Sequence, residues 1–546
     1  MLKLGVMVSL WVLLVASGQV GAHGTETCSP APDSADDSTC TAKGSSKPVT
    51  YKGVPRFFPT PRKDYGEHPS TATCKRLETV CGPACSMEQT LEGKRSTGHW
   101  GFMYDGLEPA IVVQSGDVLN MELPTLNANM AADLMMDGDP GMESIYEWTK
   151  DGPVAQPIGP FGGGEGAHWM TGPVHVCGAE PGDVLQVDIL DLKGRPNPQN
   201  RTFGVTWSGS IGWQKIAGYK HPRGYHEAVT IYELISDAET GRAMYAEPHY
   251  QYIVEDLGEI TTVCIPTEGV FQRTTEAGAA SWKNPGSIFE GKHVPCKDGK
   301  MKWHATGLPS LPYTVPAHLK QSLNERFRSP ANLHIGNMGT TPATGYPVNS
   351  NAPLRTGGNI DNRRLGVGAT VYYPVEVAGA LLMAGDGHAA MGDSELSGTG
   401  IETSLNAKLR FNVHKASALP TFLKALDFPL IENANEWIVQ GYQYSDYVRE
   451  LDDPQAKIFE TPDLTRAMTV CYNQTRDFMM QSFDLTENEA LTVMDVAVDF
   501  GITQVVDGNV GIHSIIPKWV FSPQAWKASP EYYPKVIPGT SQPLKS

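Results

Sequence analysis

Between Asp386 and Glu395, four side chains able to bind a metal or move a proton fall within ten positions: Asp386, His388, Asp393 and Glu395. They follow directly on the apolar run Val377 to Ala384, in the segment Gly385-Asp-Gly-His-Ala-Ala-Met-Gly-Asp-Ser-Glu395. On a strand, side chains two positions apart share a face, so Asp386 and His388 can present a carboxylate and an imidazole to one cation. A solvated acidic loop is the competing reading. The density of glycine and the central histidine directly off an apolar strand favour the cation.

Two other polar clusters sit in glycine-containing turns. In His168-Trp-Met-Thr-Gly-Pro-Val-His175, a histidine ahead of a Thr171-Gly-Pro turn could bind a metal or give a proton to a leaving group, since imidazole titrates near neutrality. It could equally cap the turn, and spacing alone favours the cap. In Gly357-Gly-Asn-Ile-Asp-Asn362, Asp361 could be a hard oxygen ligand or could close an Asx-turn, and again spacing alone favours the structural role.

The elements that must position these groups read as mainly β. Ala110 to Leu123 reads as strand, tight turn, strand, and the same grammar recurs from Gly178 to Leu192, where Leu185, Val187 and Ile189 alternate with Gln186 and Asp188. Strands are also predicted for Val229 to Leu234, Ala369 to Val377 and Leu405 to His414. Sandwiches or barrels follow, with a few helices near the C-terminus. One helix is predicted to start with Thr461 as cap and Pro462 in the first turn, burying Leu464, Met468, Cys471, Thr475 and Phe478 on one face. A second starts at Thr486, whose capping-box partner is Glu489, and buries Leu491, Met494 and Val498. The pair is expected to cover one edge of a sheet, leaving Cys471 as core.

Composition narrows the function classes. The chain has 546 residues and a net charge of -17, which disfavours binding to nucleic-acid phosphates or anionic lipid. Lys3, the apolar stretch Leu4 to Ala16 and the small residues Val20-Gly21-Ala22 have the pattern of a secretory signal cleaved after Ala22. The apolar run is shorter than the roughly 20 residues of a membrane span. A secreted or lumenal product is therefore expected, and the sequons at Asn200 and Asn473 are expected to carry glycans. Five of the nine cysteines (Cys28, Cys40, Cys74, Cys81 and Cys85) precede residue 90 in a Pro/Ser-rich stretch, which reads as a disulfide-stapled extension in preference to half a zinc site. The domain plan is a signal over 1–22, the extension over 23–95, a catalytic region over 96–521 and a tail over 522–546.

Ordered motifs along the central region resemble the acetamidase/formamidase family. They begin with Gly98-His-Trp-Gly101, Leu107-Glu-Pro109 and Ser115-Gly-Asp117, and continue through Gly138 to Lys150, Thr171-Gly-Pro-Val174 and Gly178 to Asp183. Later come His334-Ile-Gly-Asn-Met-Gly339, Gly357 to Asn362, the Asp386/His388 segment, Gly398-Thr-Gly-Ile-Glu402 and Val496 to Asp507. The resemblance implies a mainly β hydrolase of the β-sandwich or barrel type that cleaves short linear amides such as formamide or acetamide. It also implies a divalent metal, assigned to zinc, and a homodimer. Carried over position by position, Asp361, Asp386 and His388 would hold the metal, with His168, Asp393 and Glu402 as catalytic neighbours. One departure stands out: where relatives carry a Thr-His-His element, this chain reads Thr125-Leu-Asn-Ala128. Met391 and Ser394 also replace a polar and a small residue.

Other amidase chemistries fit less well. The sole Gly-Ser-Ser, at Gly44, lies far from any α/β nucleophile loop. Cys177, the best candidate for a nitrilase-type nucleophile, precedes Gly178-Ala-Glu-Pro and is expected to be buried or disulfide-bonded. The alternative outside enzymology is a secreted binding or scaffold protein that keeps the fold without the activity.

Overall fold

Alternate residues of one strand set can be followed into two different cores. Val371, Tyr373, Ile431 and Ile438 belong to the central cluster with Val187, Ile189 and Leu405, whereas their neighbours Tyr372, Leu430, Trp437 and Val439 pack against Met479, Phe483, Ala490 and Met494. The two-residue period of the pleat thus gives one sheet two apolar faces, covered by another sheet and by helices.

In the computed structural model the described residues are 87–146, 168–208, 228–253 and 315–521, interrupted at 324–325, 425 and 453, with Cys74, Trp213, Asp256 and the strands Thr262–Ile265, Glu290–Pro295 and Met301–Thr306. All belong to the larger of the two units of the chain, Val54–Ser546. The expected signal, most of the cysteine-rich extension and the 522–546 tail lie outside the described residues.

The larger sheet has nine strands, running in space from Glu88–Leu91 through Val118–Leu123, Leu405–His414, Val184–Gly194, Thr370–Pro374, Leu430–Glu432, Glu436–Tyr442 and Gly511–Pro517 to Asp499–Gln504. Glu88–Leu91 precedes the boundary expected at residue 96, yet it pairs with Val118–Leu123 in parallel register and so belongs to the sheet. A six-stranded sheet packs over it, sharing Val174, Val176, Ile335, Leu382 and Ala384 with the central core. Its path runs from Gly357–Asn359 through His334–Gly339, Leu382–His388 and Trp169–Val176 to Gly98–Trp100, with Ile111–Val113 joined to Trp169–Val176. A four-stranded sheet containing Thr202–Ser208 and Ala228–Ser236 contributes Val205, Trp207, Val229 and Ile231 to a further core with Trp100, Leu126 and Trp169.

One local expectation holds and two change. Ile111–Val113 and Val118–Leu123 flank a tight turn as expected, with Gly116 at φ +96°, and from it they diverge into different sheets. The buried Asp117 fixes that corner, its carboxylate accepting from the N–H groups of Met87 and Gln114, both at 2.8 Å. The Thr171-Gly172-Pro173 sequence is a bulge inside Trp169–Val176, with Gly172 at φ +121° where the pairing to Leu382–His388 shifts register. The long helix Leu464–Phe483 is capped by Asp463, whose carboxylate accepts from the Arg466 N–H at 3.0 Å, two residues after the cap expected at Thr461. Its buried side is Ala467, Cys471, Thr475 and Met479, with the expected Leu464 and Phe478 partly buried against the cores and Met468 exposed.

The second helix, Glu487–Ala497, starts at Thr486 with the reciprocal Thr486/Glu489 box. Both helices pack near one end of the large sheet, the longer on Glu436–Tyr442 and Gly511–Pro517. Cys471 is buried there, and burial pushes its thiol up to about 12. Cys177 is bonded to Cys74, so the described staple of the extension runs to the body of the fold.

Candidate metal centre

Six titratable side chains converge where Leu382–His388 meets the Gly357–Asp361 turn and the segment through Glu402. Ligand atoms of Asp361, Asp386 and His388 lie within 4.8 Å of one another, as do those of two overlapping triads, His388/Glu395/Glu402 and Asp361/Glu395/Asp507. His388 Nε2 is 3.6 Å from Asp386 Oδ2, 3.1 Å from Glu402 Oε1 and 4.0 Å from Asp361 Oδ1. The approach to Glu402 is short but off the line of a hydrogen bond, and His388 Nε2 has no hydrogen-bond partner. Both oxygens of Asp361 and one each of Glu395, Glu402 and Asp507 are likewise buried without a partner. A buried polar atom without a partner costs about 1–3 kcal/mol, more when charged, so five such carboxylate oxygens around one imidazole nitrogen form a cage that could hold a cation.

Backbone geometry builds the cage. Strand pairing sets His334 opposite His388 and Asn337 opposite Gly385, which puts Gly336 across from Asp386. A Cβ on Gly336 would sit 2.5 Å from Asp361 Oδ1 and 2.6 Å from Asp386 Oδ2, so only glycine leaves the space between those carboxylates open. Asp361, Asp386 and Glu395 all adopt left-handed conformations, at φ +49°, +57° and +46°. Non-glycine residues held there cost about 1–3 kcal/mol each and cluster at functional sites. Asp386 and His388 therefore do converge, but through a kinked strand rather than the regular alternation expected of it.

Two histidine relays orient the rings. His334 Nδ1–H donates to the Asn332 carbonyl at 2.6 Å, and burial, then the neighbouring His388, depresses its pKa to about 3, so the ring is neutral with Nε2 as acceptor. His388 Nδ1 at 3.1 Å must then be the donor, leaving Nε2 facing the carboxylates as an atom that could bind a cation. His168 Nδ1 meets Ser350 Oγ at 3.0 Å and accepts from Asn337 Nδ2 at 3.3 Å, which directs Nε2 toward Asp386 Oδ2, 3.6 Å away.

Without a cation the electrostatics are strained. Burial raises Asp361, and Asp386 and Asp507 beside it raise it further; burial likewise raises Glu395, with Asp361 adding to it. Burial pushes Glu402 up to about 8 and Asp507 up to about 7. Burial alone would raise Asp386 too, but the His168 and His388 rings outweigh it and hold that carboxyl low, while Glu402 and Asp386 outweigh burial at His388 and hold it protonated. Crowded buried carboxylates must take up either protons or a cation.

Above the cage, a cavity with about 370 Å³ of empty volume including its mouth is lined by His168, Asp386, Glu395, Glu402 and Asp507, with Leu126, Asn127, Trp207, Asn351 and Asn359 on the walls. Of the residues singled out from the sequence, Asp361, Asp386, His388, Glu395, His168 and Glu402 thus meet at one site. Asp393 does not join them: it is partly exposed and paired with Arg364 at 3.1 Å, because Ser394 and Glu395 turn the chain inward only after it. Sequence spacing gives no role to His334, Gly336, Asn337 or Asp507, although they lie within the stretches His334–Gly339 and Val496–Asp507 that carry the family resemblance. Leu126 and Asn127, the positions where the resemblance implies histidines, stand on the cavity wall.

Residues 330–523 match the family model described as the Acetamidase/Formamidase family. The chain is 27% identical over 252 residues to the acetamidase of Mycolicibacterium smegmatis, covering 42% of this chain and 49% of that protein. It is 25% identical over 234 residues to the formamidase of Methylophilus methylotrophus, covering 42% and 47%. The matches span about half the length of these curated relatives. Among solved structures, the acetamidase of Yersinia enterocolitica aligns with 82% of this chain and 99% of its own, at 16% identity and a TM-score of 0.49. Through residues 330–523, the stretch that carries Asp361, Asp386, His388, Glu395, Glu402 and Asp507, this chain resembles the acetamidase/formamidase family.

Proposed function

We propose that this chain hydrolyses short linear amides of the formamide or acetamide type to ammonia and a carboxylate, using a divalent cation held by Asp361, Asp386 and His388. The observation that carries the reading is the cage itself: partnerless buried oxygens and one imidazole nitrogen, beside a small cavity that Asp386, Glu395, Glu402 and Asp507 line, in the stretch that matches amide hydrolases. The mixed oxygen and nitrogen donors suit a transition-series ion, and we assign zinc. Held by these residues, such an ion would supply carbonyl polarisation and a water nucleophile usable at neutral pH.

The chain's own groups supply the rest. Glu402, 3.1 Å from His388 Nε2, is placed to carry a proton to the departing nitrogen, which an amide needs because its leaving group is poor. His168 offers Nε2 at the same edge of the site. Asn127, Asn351 and Asn359 offer carboxamides to the substrate's amide, and Leu126 and Trp207 form apolar walls that suit a one- or two-carbon acyl group. The test is ammonia release from formamide and acetamide by chelator-treated protein before and after zinc is restored. Restored release by the wild type, abolished in Asp386→Ala, supports the reading; no release with zinc bound overturns it.

That second outcome is what a non-catalytic binding protein would give, and Leu126 and Asn127 on the cavity wall are the observation favouring it. We also propose a secreted homodimer with glycans at Asn200 and Asn473, whose side chains are both exposed. Loss of mass on treatment with peptide N-glycosidase, and sedimentation at twice the chain mass, would check these points.

A further inference from the structure

We propose a second divalent-cation position in the same cage, formed by Asp361, Glu395 and Asp507 and bridged to the first through the Asp361 carboxylate. The inference rests on the metal reading above and extends it. The three groups offer ligand atoms within 4.8 Å of one another, in a triad distinct from Asp361/Asp386/His388. Asp361 is 1% exposed and Glu395 6% exposed, and both Asp361 oxygens, Glu395 Oε2 and Asp507 Oδ2 have no hydrogen-bond partner. A carboxylate with both oxygens open can give one to each of two ions.

Charge points the same way. Five buried carboxylates (Asp361, Asp386, Glu395, Glu402 and Asp507) share the cage, and among the described residues the only basic side chains within 4.0 Å of their oxygens are His168 and His388. One divalent ion offsets two of those charges; two ions offset four. Paired ions bridged by a carboxylate sit about 3.5–4 Å apart in hydrolases and clamp both the attacking and the leaving atoms.

The second triad is also a built site. Ser394 N–H donates to the Thr503 carbonyl at 3.1 Å and Val505 N–H to the Ser394 carbonyl at 3.2 Å, fastening the Glu395 turn to the strand before Asp507. The Asp507 N–H in turn donates to Gln504 Oε1 at 2.9 Å. Glu395 and Asp507, far apart in sequence, are thus held by one set of backbone bonds.

Chelator-treated full-length protein is reloaded with manganese(II), the bound ion is counted by mass spectrometry, and the electron paramagnetic resonance spectrum is recorded. Two ions per chain with a spin-coupled spectrum are expected, falling to one uncoupled ion in Asp507→Asn and in Glu395→Gln. One ion per wild-type chain with an isolated six-line spectrum overturns the second position and leaves the single-ion reading standing; none overturns both. Two coupled ions in both variants would place the second ion elsewhere and overturn the assignment. The wild-type spectrum decides the matter even if a variant fails to fold.

Discussion

Gly336 is the residue whose replacement tests the cage most sharply, because its backbone is ordinary extended strand while the space beside it is reserved. Alanine there keeps the strand and its pairing but drives a methyl against Asp361 Oδ1 and Asp386 Oδ2. Gly336→Ala should retain the far-UV circular dichroism spectrum and lose metal affinity, on the order of 10–100-fold as for other changes that misplace ligands, measured by zinc titration against a competing dye. His334→Gln should have a loss of similar order, since the ring that fixes the His388 tautomer would be gone. Asp386 and His388 are legible in the sequence because three carboxylates, a histidine and glycines crowd one strand end. Asp507 is not, because its place beside Glu395 depends on strand pairing between distant segments, which local spacing does not encode. Asp393 illustrates the converse: nearness in sequence to Glu395 said nothing of which way its side chain turns.

Elements were readable where a local rule decides them. Leu405–His414 and the Thr486/Glu489 cap follow from alternation and capping chemistry alone. The partners of Ile111–Val113 and Val118–Leu123 do not, since a tight turn permits a hairpin and only the surrounding sheets decide otherwise. The Cys74–Cys177 bond fastens the extension to the end of Trp169–Val176 across a separation of 103 residues. Closing so long a loop in the unfolded chain is worth at most about 4–5 kcal/mol in the chain-entropy account. Cys177→Ser should therefore lower the urea midpoint with the folded spectrum unchanged, and a midpoint equal to wild type would show that the extension adds no stability through this bond.

At the scale of the molecule, two sets of buried groups should bound the pH range of stability from opposite sides. His99 is 2% exposed and its Nε2 bonds the Phe102 carbonyl at 2.7 Å; burial lowers its pKa from 6.5 to about 4. The unfolded chain then takes up the proton first, so stability present above pH 6.5 is lost as pH falls toward 4, by on the order of 3 kcal/mol. His513, depressed to about 4 by burial and then Arg364, acts with the same sign. Asp507 runs the other way: burial raises it from 3.8 to about 7, so the cation-free protein loses stability as pH rises through that window. Thermal melts of chelated protein should peak near mildly acidic pH, and added zinc should restore the alkaline side, where bound cation replaces the protons.

The central claim, a cation held by Asp361, Asp386 and His388, is met most directly by diffraction from zinc-loaded crystals at the zinc absorption edge. An anomalous peak at bonding distance, about 2.0–2.2 Å, from carboxylate oxygens of Asp361 and Asp386 and from His388 Nε2 is the predicted result. A map without a peak among those three side chains, from crystals shown to contain zinc, would contradict it.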